Sequence, residues 1–279
     1  MTSLERAALD YSGRGVVVTG GTRGIGAGIA RAFLAAGAGV LVCGRAEPTA
    51  LPAVDGRAAR FARADVRDPD QADALIGAAL AAFGRLDVVV NNAGGGPLVD
   101  AATASPLLQA KIIQLNLVAP LQVAQAANRV MQGQATGGSI LMIGSVAGVR
   151  PAPGAAAYGA AKAGLHHLAT SLAMEWAPRV RVNTVVPGMV STGEDDPHYG
   201  DRAARSALSA AVPLGRMAEP GDIAAACLFL ASPLAAYVTG SALTVHGGGE
   251  RAGYLASPMI EELGHRVPAR TDDHHPGPA

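Results

Sequence analysis

The chain has 279 residues, 49% of them hydrophobic and 16% charged, with a formal net charge of zero at pH 7. That length suits one large or two small globular domains with a sizeable core, and the composition excludes a disordered chain. Balanced charge gives no electrostatic case for nucleic acid or an anionic membrane. The two cysteines, Cys43 and Cys227, sit inside apolar runs and read as buried free thiols of a reducing compartment, with no disulfide framework. Met1 to Tyr11 lacks the apolar core of a signal peptide, and no uncharged apolar run reaches about 18 residues. A cytoplasmic protein with no membrane partner is expected.

Strand-like and helix-like patterns alternate along the chain. Gly15 to Thr19 is a short β-branched run, followed by a helical pattern from Gly26 to Ala36. Val40 to Cys43 predicts a second strand and Arg60 to Ala64 a third. Asp68-Pro69 supplies an N-cap and a proline at the first helical position, so a helix is expected to about Phe83. Leu86 to Val90 is a fourth strand, and Ser105-Pro106 repeats the cap-plus-proline signal for one long helix to about Met131. The apolar run at Ile140 to Ile143, a helix from Ala155 to Trp176, a strand at Val180 to Val186, a helix at Glu219 to Ala231 and a last strand at Ala242 to Val245 complete the pattern.

Apolar strands without polar alternation, separated by helices, imply a parallel sheet covered on both faces. The expected fold class is therefore α/β: a doubly wound (Rossmann-type) sheet of about seven parallel strands with helices on both faces. No linker or repeat divides residues 1–249, which are expected to form one domain. Residues 250–279 form a C-terminal extension with a polar, mobile end, and its His274-His275 pair is not expected to make a defined metal site. No cluster of His, Cys or carboxylates at ligand spacing is evident, so no metal is expected.

Two stretches carry chemistry. The first strand runs into Thr19-Gly-Gly-Thr-Arg-Gly-Ile-Gly26, whose glycines at 20, 24 and 26 permit a tight turn ahead of a helix N-terminus. That is the context of a dinucleotide site, although a glycine-rich turn without a ligand has the same look. The spacing is G-x-x-x-G-x-G, not G-x-G-x-x-G. The second stretch runs from Ser145 to Lys162. Tyr158 and Lys162 stand one helical turn apart on one face, and an ammonium near a phenol lowers a pKa of about 10, which suits a general acid/base. Tyr-x-x-x-Lys by itself equally fits an amphipathic helix with a solvated lysine. Ser145, at the end of the preceding strand, can hydrogen-bond a substrate oxygen.

Together these residues resemble the short-chain dehydrogenase/reductase family, in its soluble single-domain, 3-oxoacyl reductase-like branch. Thr19 to Gly26 resembles its cofactor loop and Asn91-Asn-Ala-Gly94 its next motif. Ser145, Tyr158 and Lys162 stand in its catalytic order, Asn116 matches its active-site asparagine, and Pro187-Gly188 with Thr192 matches the segment at the nicotinamide end. The likeness covers roughly residues 13–249. His246 departs from it, at a position where an acidic residue is common.

The resemblance implies that Tyr158 passes a proton to or from the substrate oxygen and that Ser145 hydrogen-bonds that oxygen. Lys162 would lower the tyrosine pKa and bind the ribose, and Asn116 would help hold a water linking Lys162 to solvent. It implies cofactor contacts from Gly20, Thr22, Arg23, Gly24, Ile25 and Gly26, from Asn92, Ala93 and Gly94, and from Pro187, Gly188, Val190 and Thr192. Asp65 and Val66 would meet the adenine, although Asp65 also reads as a surface carboxylate beside Arg67. The stretch from Ser191 to Val212 falls at the family's mobile substrate lid. The implied partners are a small carbonyl or alcohol substrate and further copies of the chain, most simply a homotetramer. His166 and His167, one turn past Lys162, read as helix-packing or subunit-interface residues, and Trp176 as packing near its helix end.

Cofactor choice is read from the second strand's end. NAD-preferring dinucleotide folds usually carry an acidic residue there. Gly44 takes that place, Arg45 follows, and Arg23 lies in the glycine loop. Two guanidiniums near the adenosine ribose suit a 2′-phosphate, so NADP(H) is expected ahead of NAD(H). A catalytically idle dinucleotide-binding protein that signals redox state to a partner stands as the alternative. The substrate stays open among 3-oxoacyl thioesters, hydroxysteroids and simple ketones.

Overall fold

The computed structural model describes residues 9–193 and 199–250. Seven strands form one parallel sheet: β1 (Gly15–Thr19), β2 (Gly39–Gly44), β5 (Arg60–Arg63), β6 (Val88–Asn91), β7 (Gly138–Ile143), β8 (Val180–Pro187) and β9 (Ala242–Val245). Their order is β5-β2-β1-β6-β7-β8-β9. The chain winds outward from β1 through β2 to β5, returns to β6 beside β1, and then winds the other way, as the doubly wound expectation requires.

The strands alternate their valines between two cores. Val17 and Val89 face a cluster with Leu75, Val123, Ile140 and Leu165. Val16, Val18, Val88 and Val90 face another with Ile29, Phe33, Ile223 and Leu230. Every residue of β1 is buried. Each such valine contributes roughly 1.5–3 kcal/mol relative to leaving it exposed, so a sheet covered on both faces is the minimum for these sequences. The first face carries α2 (Pro69–Phe83), α4 (Ala119–Gly133) and α5 (Ala156–Trp176); the second carries α1 (Gly24–Ala35) and α7 (Pro220–Ala231).

The capping signals hold in detail. Asp68 accepts the backbone N–H groups of Asp70 and Gln71, and Gly84 ends α2 in the left-handed region at φ 72°. Ser105 accepts the Leu108 N–H at the start of α3 (Pro106–Ile113). Trp176 lies partly buried against the first core, as expected.

The expected single helix from Ser105 to Met131 is corrected. After α3 the chain takes one wide π turn, Gln114–Val118, before α4 begins. Pro120 has no N–H to give the carbonyl of Asn116 four residues before it, and the ladder widens to compensate. Two smaller elements are additions. A hairpin joins β3 (Ala53–Val54) to β4 (Arg57–Ala58), and within the expected lid a short helix, α6, spans Arg202–Ala211. The polar extension beyond Glu250 lies outside the described residues.

Candidate active site

The carboxyl ends of β1, β2, β6, β7 and β8 line one edge of the sheet, around the point between β1 and β6 where the strand order reverses. Ligand crevices of doubly wound folds form there. Gly20 and Gly24 hold φ of 60° and 53°, which side chains disfavour. A Cβ on Gly26 would sit 2.4 Å from the Gly20 carbonyl oxygen and 2.5 Å from Asn92 Nδ2, so only glycine lets α1 start this close to the loop.

Asn92 Nδ2 donates to the Thr19 and Gly20 carbonyls at 2.9 and 3.2 Å. Thr19 Oγ1 accepts the N–H groups of Asn92 and Ala93, each at 3.0 Å. The two sequence motifs are thus one braced corner. Arg23 precedes α1 without a side-chain cap, leaving the first N–H groups to a ligand, as anion sites at helix N-termini require. The Thr192 side chain lies against Gly24, 3.4 Å from where its Cβ would be. Val190 is buried beside it. A glycine cradle that any Cβ would fill, at an uncapped helix start, fits a dinucleotide.

Further along the edge, Asp65 receives the Arg67 guanidinium on both carboxylate oxygens, and that pairing holds its carboxyl below the usual range. The carboxylate beside Arg67 is therefore how Asp65 stands, and an adenine contact would have to share it. Gly44 ends β2, while Arg45 and Arg23 are exposed, and Arg45 acts on Asp65 through space. Gly188 is pinned by its N–H to the Val245 carbonyl at 2.9 Å. A Cβ on it would come 2.7 Å from that of His246, so His246 serves as a wall behind the segment.

The four expected catalytic residues converge. Lys162 is buried, and its Nζ donates to the Ile143 carbonyl at 2.7 Å and sits 5.6 Å from the centre of the Tyr158 ring. Burial lowers its pKa to about 8. Ser145 Oγ accepts the Ala147 N–H at 3.1 Å, which leaves its own proton free to donate, and it is hydrogen-bonded to Tyr158.

Asn116, in the π turn, is fully buried. Its Oδ1 accepts the Gly95 N–H at 2.9 Å, and its Nδ2 donates to the Gly95 and Ile112 carbonyls at 2.9 Å each. A Cβ on Gly94 would lie 2.7 Å from Asn116 Oδ1 and 3.4 Å from Lys162 Nζ. Asn116 therefore fixes the Gly94–Gly95 corner against the lysine. A narrow pocket lined by Pro97, Val99, Ile112, Ala157 and Tyr158 opens beside the phenol. No group of His, Cys or carboxylates among the described residues is placed to hold a metal ion.

The expected lowering of the Tyr158 pKa is corrected. Burial is the largest influence and raises it above the ordinary value, with Ser145 pulling it down and Tyr199 pushing it up. Lys162 does not reverse this, because its ammonium is turned to the Ile143 carbonyl and is itself disfavoured by burial.

A family described as enoyl-(acyl carrier protein) reductase matches residues 20–250. The chain is 37% identical to the 3-oxoacyl-[acyl-carrier-protein] reductase of Chlamydia muridarum, over 84% of this chain and 96% of that protein. It is also 37% identical to the L-rhamnose 1-dehydrogenase (NAD(P)(+)) of Azotobacter vinelandii, over 84% and 95%. A solved structure described as a short-chain alcohol dehydrogenase from Sinorhizobium meliloti superposes with a TM-score of 0.78 at 35% identity, covering 90% of this chain and 99% of that one. The chain belongs to the short-chain dehydrogenase/reductase family. It is thus an oxidoreductase of a family that uses NAD(P) cofactors and acts on small molecules.

Within this short-chain dehydrogenase/reductase site, two further residues touch the expected catalytic group. Tyr199, inside the stretch expected as the substrate lid, accepts the Val190 N–H at 3.3 Å and acts on Tyr158, a coupling that no spacing in the sequence marks. His166, expected as a helix-packing or subunit-interface residue, packs against the turn that carries Ser145. Its place as the next position of the Tyr158–Lys162 stripe could be read from spacing; its backbone partner could not.

Proposed function

We propose that the protein is an NADP(H)-dependent reductase of a 3-oxoacyl thioester or ketone, with Tyr158 as general acid/base, Ser145, Lys162 and Asn116 completing the site, and one catalytic domain over residues 1–249. The observation that carries this reading is the Ser145–Tyr158 hydroxyl pair set beside a buried lysine.

The nicotinamide, when bound, supplies the hydride. Tyr158 gives its proton to the substrate oxygen, and Ser145, whose Oγ is already an acceptor for the Ala147 N–H, donates its own hydrogen to the same oxygen. Two donors on one oxygen stabilise the charge that develops there. Lys162 and the braced Gly94–Gly95 corner hold the ribose side of the cradle. The small apolar pocket beside Tyr158 favours an apolar group next to the reacting carbon.

A second reading, reduction of an enoyl thioester, is favoured by the description of the matched family. An idle nucleotide-binding role is disfavoured, because it has no use for the hydroxyl pair. Consumption of NADPH is to be followed spectrophotometrically with acetoacetyl-CoA, crotonyl-CoA, a diketone and a 3-oxosteroid. Turnover of the oxo compounds is expected. Turnover of crotonyl-CoA alone would replace the proposal with the enoyl reading, and NADPH binding without turnover of any of them would favour the idle role.

We also propose a cytoplasmic homotetramer. The helical segment Pro106–Gly133 is long and apolar enough to cross a membrane by length and composition, yet only 33% of its most apolar stretch is buried. Leu107, Ile113 and Val118 on it are exposed, as is Met174 on α5. A second copy of the same surface covers such a patch by two-fold symmetry. Light scattering at micromolar concentration is expected to give four times the chain mass, and a monomer would overturn the assignment.

A further inference from the structure

Three residues lie along one stripe of α5, each one turn from the last: Tyr158, Lys162 and His166. The first two belong to the proposed chemistry, and the third has been given no role. Its ring is wedged against the turn between β7 and α5. The backbone N–H of Ser145 donates to His166 Nε2 at 3.4 Å. A Cβ on Gly144 would lie 2.2 Å from the same nitrogen, and one on Gly148 would lie 2.9 Å from His166 Cε1. Glycine at both places is what allows an imidazole to stand under the turn.

Successive turns of α5 therefore grip the end of β7 with opposite polarity. Lys162 Nζ donates to the Ile143 carbonyl at 2.7 Å, and two residues later His166 accepts the Ser145 N–H. Between them they fix the peptide planes on both sides of Gly144. The direction of the Ser145 side chain follows from those planes.

We infer that His166 is a positioning residue for Ser145: its unprotonated Nε2 holds the serine's N–H and so sets the angle at which the serine hydroxyl meets Tyr158 and the substrate oxygen. This rests on the catalytic reading of Ser145 above. An Nε2 acceptor fixes the neutral tautomer with its proton on Nδ1. Once the ring is protonated, Nε2–H faces the Ser145 N–H, donor against donor, and the turn must move.

The surroundings keep the acceptor form in place at neutral pH. Lys162, on the same helix, is the charged group that acts on His166; with burial, which is the larger influence, it holds the imidazole below its ordinary value of 6.5. From the turn, Ser145 presents an N–H and a hydroxyl. From β8 it is Thr184, uncharged, whose Cγ2 approaches the same place on Gly144. His167 is exposed. No carboxylate among the described residues acts on the ring to stabilise its cation.

The test compares the wild type with His166→Leu, His166→Gln and Ser145→Ala, using initial rates of acetoacetyl-CoA reduction from acid to neutral pH. His166→Leu removes the acceptor and should lower kcat about tenfold at neutral pH, the size of one net hydrogen bond, with the KM for NADPH unchanged. His166→Gln keeps an acceptor near the Nε2 position and should recover most of that loss. The wild type should lose kcat as pH falls below the ordinary histidine range, and the Gln variant should not.

A merely structural histidine would lower the melting temperature of both variants without moving the acid limb. An unchanged limb in His166→Gln, or full kcat in His166→Leu, overturns the inference. If Ser145→Ala keeps full kcat, the catalytic reading itself fails and takes this inference with it. If only Ser145→Ala falls, the catalytic reading stands and His166 has no part in it. A readout that needs no substrate is nitrogen NMR of histidine-labelled protein, with His166 assigned by its absence in the Gln variant. The Nδ1–H tautomer is expected, and the Nε2–H tautomer overturns the inference.

Discussion

Replacing Tyr158 by Phe is expected to lower turnover by at least about 10²-fold, the usual effect of losing a general acid, while NADPH affinity barely changes. The ring remains, so the half-buried position on α5 keeps its packing, and the loss is one hydroxyl and its hydrogen bond to Ser145. That bond is worth about 1 kcal/mol to the fold, partly offset because a buried polar group is removed with it. The chemical loss thus far exceeds the structural one, and a Tyr158→Phe protein with a near-native melting temperature separates the two.

The raised phenol pKa sets the pH dependence. Burial keeps the proton on Tyr158 above its ordinary value of 10.0, so the donor needed for reduction is present throughout the neutral range and is lost only in strong base. Alcohol oxidation needs the phenolate, and its rate should still be rising at the highest pH the protein tolerates. Rates in both directions against pH check this. Near wild-type turnover in the Phe variant, or an oxidation rate that levels off near neutral pH, would defeat the assignment of Tyr158.

The sheet was legible because its central strands, β1 and β6 above all, are short β-branched runs buried on both faces, and helix starts such as Asp68-Pro69 and Ser105-Pro106 carry their own caps. The candidate catalytic residues were legible less through the Tyr158–Lys162 spacing, which is common, than through the order of several motifs along the chain. What spacing does not carry is depth. Tyr158 and Lys162 are one turn apart in any helix, but which of burial and charge governs the phenol depends on how far the sheet and the Ser145 turn close over it.

The π turn was written in Pro120, yet a continuous apolar stretch on either side reads as one helix. Asp55-Gly56 has the residues of a tight hairpin turn, and both take positive φ, 48° and 75°, but two-residue strands leave no alternation to recognise. Helix α6 buries no residue and its sequence, Arg-Ala-Ala-Arg-Ser-Ala-Leu-Ser-Ala-Ala, carries a single large apolar side chain, Leu208, so little in it stands out as a core-facing helix. The contact that His166 makes was not legible for a related reason: its partner is a backbone N–H, and backbone has no signature in sequence.

Cofactor selectivity should be movable at the end of β2. Gly44 has an ordinary φ, and a Cβ there would meet its nearest neighbours, the Ala46 carbonyl oxygen and the Thr22 side chain, at 3.5 Å and beyond. Those are van der Waals distances, so the backbone admits a side chain and Gly44→Asp should fold. The new carboxylate would stand where adenosine ribose hydroxyls are bound in NAD-preferring folds, and it would repel a 2′-phosphate. In the present chain no such carboxylate stands at the end of β2. Arg45 and Arg23 are exposed, and neither is in a close ion pair among the described residues, the carboxylate of Asp65 being held by Arg67; the nearby Glu47 is exposed beyond the strand. Arg45 already acts on Asp65 through space, which keeps its charge close to the adenine side of the cradle. Hydrogen bonds to a charged partner are worth roughly 1.5–3 kcal/mol, so Arg45→Ala should reduce kcat/KM for NADPH by about 10- to 100-fold and leave NADH use almost untouched. Gly44→Asp should weaken NADPH by a similar factor and improve NADH. Both variants and the wild type are to be compared with each cofactor on one substrate at fixed ionic strength, since exposed charges are screened by salt. Equal or better use of NADH by the wild type would refute the NADP(H) assignment. Equal losses for both cofactors in Arg45→Ala would show the arginine serving the adenine, not the phosphate.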